Sequence, residues 1–288
     1  RVALRALRRL GIAIPAWPRQ RHMLVALLEL AFIGRPTTLA RLSSMPPARE
    51  PRVIAALDIL LSAGHSSYVA SPTAFIVLTV AHARLLLRHG NHRSAPLVIT
   101  QIGLLVAGAF DRQARATALA ELARELAERE QGHMLLRVRQ ANCFNRMWVT
   151  PFAELYGELD DVFDRALEHG DRELAETAWV VRTMLGMFGG QHLRLVEALA
   201  ESRVRWPESW NNHGAASVGE ACRRLIAGPP PAAGDRDPLG VLAEPVPNAD
   251  FPLSAHQHII SALVLAVFGR WPEVHALLEP ICDPIERA

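Results

Sequence analysis

The chain contains no lysine, because all 31 of its basic residues are arginine. A P-loop places a lysine on the β- and γ-phosphates, and a protein kinase pairs a strand lysine with a glutamate. Schiff-base enzymes also need a lysine amine. The usual forms of these three mechanisms are therefore excluded from the 288 residues. No acid, base and nucleophile converge elsewhere, so we predict no catalytic residue, no cofactor and no enzymatic activity.

Cysteines, long apolar runs and excess charge are also scarce. The three cysteines, Cys143, Cys222 and Cys282, are widely spaced and odd in number, which favours a reducing compartment over a disulfide framework. The longest apolar run, Ile102 to Phe110, is far shorter than the roughly 18 residues of a membrane span. A net charge of +2 gives no electrostatic case for nucleic acid. We therefore expect a cytoplasmic protein that contacts neither nucleic acid nor membrane.

A repeat of two predicted helices is the main pattern that is present. Aromatic residues stand just before a predicted hairpin turn at Phe110, Trp148, Phe188 and Phe268, with spacings of 38, 40 and 80 residues. A second set of breaks runs out of phase with the first and ends the second helix of each unit, at Gly90-Asn91, Gly132, Gly170-Asp171 and Trp206-Pro207. Two helices in a period of about 40 residues are typical of an α-solenoid. The predicted fold is all-α, a solenoid of antiparallel helix hairpins.

The predicted organisation has four parts. Residues 1–92 form an N-terminal helical segment, with helices over 20–33, 51–69 and 73–89, and residues 93–227 form tetratricopeptide-like repeats. A proline-rich irregular linker over 228–252 precedes a C-terminal hairpin within 253–288. The predicted hairpins pair 94–109 with 111–130, 133–148 with 151–169, 171–188 with 191–205, and 253–268 with 271–278. The chain begins with Arg1 rather than Met, so we interpret it as a piece of a longer polypeptide.

Several stretches carry a resemblance to a known class of proteins. They are ALRRLGIAIP, AREPRVIAALDILLSAGHSSYVASPTAFIVL, LLLRHGNHRSAPLVITQIGLLVAGAF, and a DPLG linker followed by LVLAVFGRW. In their order along the chain and in their residue patterns, they resemble the tetratricopeptide-like helical region of large bacterial signalling ATPases. In such proteins an ATPase, often with a protein kinase ahead of it, precedes the array, and a histidine kinase or cyclase can follow.

The resemblance implies a non-catalytic protein-interaction or sensor arm. Such an arm couples the binding of a partner or effector to catalytic domains outside this segment, and its partners are proteins or peptides, including other domains of the parent chain. The alternative is the effector-binding solenoid of an ATPase-type transcription regulator, with a DNA-binding helix-turn-helix as its output. The sequence that follows Ala288 would separate the two, since a kinase module favours the first and a helix-turn-helix the second.

Candidate binding residues come from the concave surface that stacked hairpins form. Equivalent positions on successive first helices include Gln101, Arg139 and Trp179 in one row, and Asn142, Arg182 and Cys222 in another. Arg146 shares one helix face with Arg139 and Asn142. Polar rows with one tryptophan, at positions that need not lie in the core, suit recognition of a peptide or a domain. The alternative is that these are ordinary solvent-facing or capping residues.

Three local patterns invite a catalytic or metal-site interpretation. Ser217 has the spacing of a nucleophile elbow, but it is expected within a helix, whereas the elbow needs a strand before the serine. His256 and His258 are two residues apart and would diverge on a helix. The acidic residues around Asp160 lack the glycine-containing loop of a calcium site. We therefore predict no metal site.

Overall fold

The computed structural model describes residues 2–12, 14–15, 18–130, 132–202, 210–228 and 251–286. In these ranges every regular element is a helix, and the only extended pairing is an isolated bridge between Pro47 and Asn91. The predicted all-α fold class is confirmed.

Contacts divide the chain into unit 1, Arg1–Thr150, and unit 2, Pro151–Ala288. The division falls inside the array that was predicted over 93–227. The helices of unit 1 are α1 (Val2–Arg9), α2 (Gln20–Ile33), α3 (Pro36–Ala40), α4 (Pro51–Ala70), α5 (Pro72–His89), α6 (Ala95–Phe110), α7 (Gln113–Glu130) and α8 (His133–Arg146). Those of unit 2 are α9 (Phe152–Glu168), α10 (Arg172–Phe188), α11 (Leu193–Ser202), α12 (Trp210–Ala227), α13 (Phe251–Val267) and α14 (Trp271–Glu286).

Local chemistry accounts for several of the helix starts. Pro36, Pro51 and Pro72 stand in the first turn of their helices, where the missing N–H has no helical partner to lose. The Ser71 hydroxyl caps α5 by accepting a hydrogen bond from the Ala74 N–H (3.2 Å). The predicted helix over 20–33 is confirmed as α2, and those over 51–69 and 73–89 as α4 and α5.

The helices of unit 1 pack around one continuous core. Asp111 ends α6 in the left-handed conformation (φ 51°), and only Asp111 and Arg112 separate α6 from α7, so α7 folds back along α6. α8 packs against both, and α5 packs against α2, α4 and α6. The core includes fully or almost fully buried residues from successive helices: Leu30, Leu57, Leu86, Ile102 and Leu119.

A tight turn joins α5 to α6. Gly90 has φ 116° and ψ 176°, a conformation essentially restricted to glycine. The next residue, Asn91, donates its N–H to the Pro46 carbonyl oxygen (2.9 Å) and accepts from the Ala48 N–H (2.8 Å). A Cβ on Gly90 would collide with the Pro46 carbonyl. The turn is therefore held against the strand-like segment 46–48 by backbone contacts.

Replacing Gly90 with alanine is expected to lower the free energy of unfolding by about 2 kcal/mol, from the backbone strain and the collision together. Gly132→Ala is the matched control, because Gly132 also has positive φ (74°) but its Cβ would meet nothing within 4 Å. Urea denaturation followed by circular dichroism measures both. Equal losses in the two variants would show that the contact with residues 46–48 contributes nothing.

Unit 2 is organised around α10, of which twelve of 17 residues are buried. The predicted contact of 171–188 with 191–205 is present, but α10 packs most extensively against α9, across the Gly170-Asp171 turn. The physical reason is the length of the apolar face. α9 has 17 residues and buries five of them, whereas α11 has ten residues and buries only Val196 and Ala200.

The predicted final hairpin is present, since α13 and α14 pack together. α14 continues to Glu286, beyond the predicted 271–278. Of the predicted linker over 228–252, the described residues are Gly228, which follows α12, and Phe251 and Pro252, which begin α13. The remainder of that linker, and the break at Trp206-Pro207, lie outside the described residues.

Candidate functional site

The six candidate binding residues differ in their exposure. Gln101, Arg139 and Arg146 are half-buried. The expectation that the candidates need not lie in the core is wrong for the other three, since the structure buries Asn142, Trp179 and Arg182. Cys222, the last member of the second predicted row, is also buried. Each buried side chain has an identifiable packing or hydrogen-bonding role, so burial has a physical cause at each of these positions.

Two asparagines attach α8 to the helix pair α6–α7. The Asn142 amide donates to the Ala120 carbonyl of α7 (2.9 Å), and the Asn145 amide donates to the Thr100 carbonyl of α6 (3.0 Å). A Cβ on Gly103 would lie 2.9 Å from Asn145 Nδ2, so the small residue in α6 allows this close approach. Buried amides of this kind fix the register between helices because an unpaired donor would be costly.

Trp179 anchors α10 to α11. Its side chain is only 1% exposed, and its indole Nε1–H donates to the Leu199 carbonyl (3.1 Å). A buried indole of this kind combines a large apolar contact area with one satisfied donor. The residue thus packs in the interior of unit 2 rather than on a recognition surface.

Arg182 is buried and is the centre of a polar cluster in unit 2. Its Nη1–H donates to Gln191 Oε1 (3.0 Å) in the connector between α10 and α11, and its Nε lies 3.4 Å from Asp160 Oδ2 on α9. The guanidinium carbon lies 3.9 Å from the centre of the Tyr156 ring, a cation–π contact, and the Tyr156 hydroxyl donates to the Leu185 carbonyl (3.1 Å).

This cluster joins α9, α10 and the α10–α11 connector through one cation. Small residues make room for it, because a Cβ on Gly186 would lie 2.8 Å from Gln191 Oε1 and 3.2 Å from Arg182 Nη1. The carboxylate, the amide and the aromatic face already surround the guanidinium. The arrangement therefore positions helices. Replacing Arg182 with alanine would first of all lower stability, so it would not test binding alone.

A second polar cluster, with Ser94 and His82 buried at its centre, lies in unit 1 and was not among the predicted sites. Ser94 Oγ lies 2.8 Å from His82 Nε2 and 2.9 Å from His92 Nδ1. His92 Nε2 lies 3.5 Å from Asp58 Oδ1, which also accepts hydrogen bonds from the Arg93 guanidinium (2.9 and 3.2 Å). The tight turn at Gly90 brings these residues from α4, α5 and the start of α6 together.

One placement of the protons gives each of these contacts one donor and one acceptor. His82 donates from Nε2 to Ser94 Oγ, the Ser94 hydroxyl donates to His92 Nδ1, and His92 keeps its proton on Nε2, towards Asp58. Burial, with a smaller effect of His92, lowers the pKa of His82 to about 3, against an opposing effect of Asp58. Burial also lowers the pKa of His92, although Asp58 raises it. Both imidazoles are therefore neutral at pH 7.

The order Asp58, His92, Ser94 has the logic of a catalytic triad, in which a carboxylate orients a histidine that activates a serine. A nucleophile must reach its substrate, however, and Ser94 is 0% exposed at the start of α6. Its hydroxyl already contacts both imidazoles. The cluster is consequently a hydrogen-bond network, buried at Ser94 and His82, that joins α4, α5 and α6.

Metal and thiol chemistry have little support in the part of the chain that the structure describes. Those residues contain no group of three or more histidine, cysteine, aspartate or glutamate side chains placed to hold a metal ion. Cys143 and Cys222 are buried, and burial raises the pKa of the Cys222 thiol to about 11. Ser217 lies within α12 and is buried, as the helical interpretation of its surroundings predicted. The side chain of His256 lies outside the described residues.

Sequence reasoning missed both the serine–histidine cluster and the partners of Arg182. A signal for the first was the short run His92-Arg93-Ser94 beside the predicted break at Gly90, with His82 on the preceding helix. The pairing of Arg182 with Tyr156 and Asp160 had no local signal, because they lie on another helix of the hairpin.

No family model, no curated protein and no solved structure matches the chain. A function has to follow from the side chains and the way in which their helices pack.

Proposed function

We propose that the chain is a non-catalytic interaction and sensor arm of a bacterial signal-transduction ATPase, built as an α-solenoid of helix hairpins. One observation supports the solenoid part of the proposal, since each unit contains the same three-helix arrangement, and the ATPase part rests on the sequence resemblance. In α6, α7 and α8 the second helix packs against the first, and the third packs against both. The helices α10, α11 and α12 have the same set of contacts. Each set has the pattern of one hairpin followed by the first helix of the next.

The two helix triplets are also spaced evenly along the sequence. Their first helices begin at Ala95 and Arg172, their second helices at Gln113 and Leu193, and their third helices at His133 and Trp210. These offsets are 77, 80 and 77 residues. Each is close to twice the period of about 40 residues, which supports a common repeat.

Close contacts hold the third helix in both triplets. In unit 1, Asn142 and Asn145 donate hydrogen bonds from α8 to α7 and α6. In unit 2, a Cβ on Gly219 of α12 would stand 3.1 Å from the Ala200 Cβ of α11. Arg223 of α12 also pairs with Glu201 of α11 (2.8 Å). Because the third helix of each triplet packs on the hairpin before it, strain or binding at that hairpin can be transmitted to the next helix, as a coupling arm requires.

The half-buried arginines of α8 are the best candidates for partner recognition in unit 1. Arg139 and Arg146 are two helical turns apart and project about 20° from one another around the helix. They flank Asn142, whose side chain reaches α7, so the pair borders the contact between α7 and α8. Arginine is enriched among residues that dominate protein interfaces, and its fork suits carboxylates. We propose an acidic segment of a protein partner at this edge.

The test measures binding of the chain to the ATPase segment that the resemblance places on its N-terminal side. Arg139→Ala with Arg146→Ala is expected to weaken saturable binding by about tenfold, as for residues that dominate an interface. Arg88→Ala with Arg112→Ala is the matched control, since both arginines are exposed on the same unit. Biolayer interferometry gives the affinities, and circular dichroism checks the fold of each variant.

Two outcomes would count against separate parts of the proposal. Absence of saturable binding by the wild-type chain would overturn its role as a coupling arm of an ATPase. Equal binding by the Arg139/Arg146 variant and the control variant would overturn the assignment of the surface, and leave the coupling role in place. The substitutions avoid Asn142 and Arg182, whose buried hydrogen bonds would confuse a loss of binding with a loss of stability.

A further inference from the structure

The outward face of α2 is apolar, although it faces solvent. Leu24, Val25, Leu28 and Phe32, here called the apolar stripe, are between 56 and 68% exposed. The opposite face of the same helix is buried through Ala26 and Leu30 and packs against α5 and α6. Single exposed apolar side chains are common, but a contiguous group on one helix face indicates a docking surface. The fold therefore buries the inward face of α2 and leaves the apolar stripe exposed.

Arginines surround the apolar stripe. Arg21 lies on the same helical face as the stripe, before its start, and Arg35 lies just beyond the end of α2, before the first residue of α3. The Arg35 guanidinium carbon lies 5.5 Å from the centre of the Phe32 ring. Along the sides, Arg115 donates to the Ala31 carbonyl (3.5 Å), and Arg84 pairs with Glu29 (3.4 Å). Glu29 is the only acidic residue of α2, so the rim of the stripe is strongly cationic.

This charge pattern disfavours a second copy of the chain as the occupant. In an antiparallel pair of α2 helices centred on Leu28, the end of one copy that carries Arg21 lies beside the end of the other copy that is followed by Arg35. In a parallel pair each arginine faces its own equivalent. Both arrangements place like charges at the two ends of the contact, which is destabilising. The occupant that complements the stripe carries negative charge at both ends of an apolar surface.

We propose that the apolar stripe docks on an anionic membrane surface, with α2 lying in the plane of the interface. The stripe is a convex ridge, and a lipid surface accepts such a ridge without a preformed groove. Apolar side chains then enter the boundary between headgroups and acyl chains, while the arginines at the ends and sides remain among anionic headgroups. A protein partner would need a groove of matching length with acidic residues at both ends.

In-plane docking is distinct from crossing a membrane. Among the described residues no single helix has the length and apolar character of a membrane span, and only α2 taken with the bent continuation Pro36–Ser43 passes that test of length and composition. The expectation of no membrane contact rested on the lack of a spanning run in the sequence. An interfacial helix needs only one apolar face and a cationic rim.

The test is co-sedimentation of the full 288-residue chain with vesicles. Vesicles of phosphatidylcholine alone are compared with vesicles that also contain phosphatidylglycerol. The wild-type chain is expected to bind the anionic vesicles, weakly at high salt, and to leave the neutral vesicles unbound. Arg21→Gln with Arg35→Gln is expected to weaken binding by about fivefold per arginine. Leu28→Ser with Phe32→Ser is expected to weaken binding by more than about tenfold.

Leu195→Ser with Val267→Ser is the matched control, because both residues are apolar, exposed and remote in sequence from α2. Its binding should equal that of the wild type, and circular dichroism verifies that every variant is folded. Failure of the folded wild-type chain to bind anionic vesicles would overturn the proposal. Unchanged vesicle binding by the Leu28/Phe32 variant would also overturn it. A concentration-dependent dimer that is abolished in the Leu28/Phe32 variant, with no binding to vesicles, would overturn it as well.

Discussion

Replacing Trp179 with alanine is expected to lower the free energy of unfolding of unit 2 by about 4 kcal/mol. The side chain is 1% exposed, so its removal leaves a cavity among α10, α11 and their neighbours. The substitution also removes the hydrogen bond to the Leu199 carbonyl. Because most single substitutions cost far less, an effect of this size would identify Trp179 as a structural anchor. Native-state hydrogen exchange of peptides from α10 and α11 measures the loss.

Trp271→Ala is the matched control, because it makes the same truncation in unit 2 at a side chain that is 58% exposed. Its effect on stability should stay below about 0.5 kcal/mol. Trp179→Phe should fall between the two, since it keeps an aromatic ring but loses the indole donor. If Trp179→Ala and Trp271→Ala had equal stabilities, the packing role of Trp179 would be wrong, and its earlier assignment to a binding surface would regain support.

Acidification from pH 7 to pH 4 is expected to destabilise unit 1 by about 3 kcal/mol through His82 alone. The pKa of His82 is about 3 in the folded chain, below the ordinary value of 6.5. Between these values the unfolded chain binds a proton that the folded chain does not, so stability falls as the pH falls. The contribution is complete above pH 6.5 and is lost progressively towards pH 3. The lowered pKa of His92 adds to the loss in the same direction.

His82→Gln separates this titration from other acid effects. The glutamine amide can replace the Nε2–H donor towards Ser94 Oγ, but it does not titrate. Charged neighbours of the cluster, Asp58 and Arg93, are unchanged in the variant. The dependence of unfolding free energy on pH, measured by urea denaturation at several pH values, should therefore be shallower in the variant between pH 6.5 and pH 4. Parallel pH profiles for the two proteins would contradict a buried, neutral His82.

Local sequence signals predicted the helical class and many helix boundaries. The start of α2 at Gln20, its end at Ile33 and the start of α4 at Pro51 were predicted because prolines and apolar periodicity act over a few residues. α5 begins at Pro72, one residue before its predicted start. The break at Gly90 was also predicted from local sequence, and its φ of 116° explains why glycine stands there. Spacing alone also supported a repeat of about 40 residues.

Only the tertiary structure decided which polar residues are buried and what they contact. Arg182 was chosen by its sequence spacing, but its surroundings, Tyr156, Asp160 and Gln191, come from another helix and from a connector. The contact between Ser94 and His82 likewise depends on the turn that folds α6 against α5. A period in the sequence specifies which side of a helix a residue occupies, but burial depends on what packs against that side.

The exposed face of α2 likewise separates what the sequence determines from what the tertiary structure determines. The sequence by itself determined that Gln20–Ile33 is helical and apolar nearly all round, a composition typical of a buried helix. The tertiary structure decided that α5 and α6 cover only one side of it and leave Leu24, Leu28 and Phe32 in solvent. Helix formation depends on neighbours within a few residues, whereas coverage depends on the number of helices that reach each face, and that number follows from long-range packing.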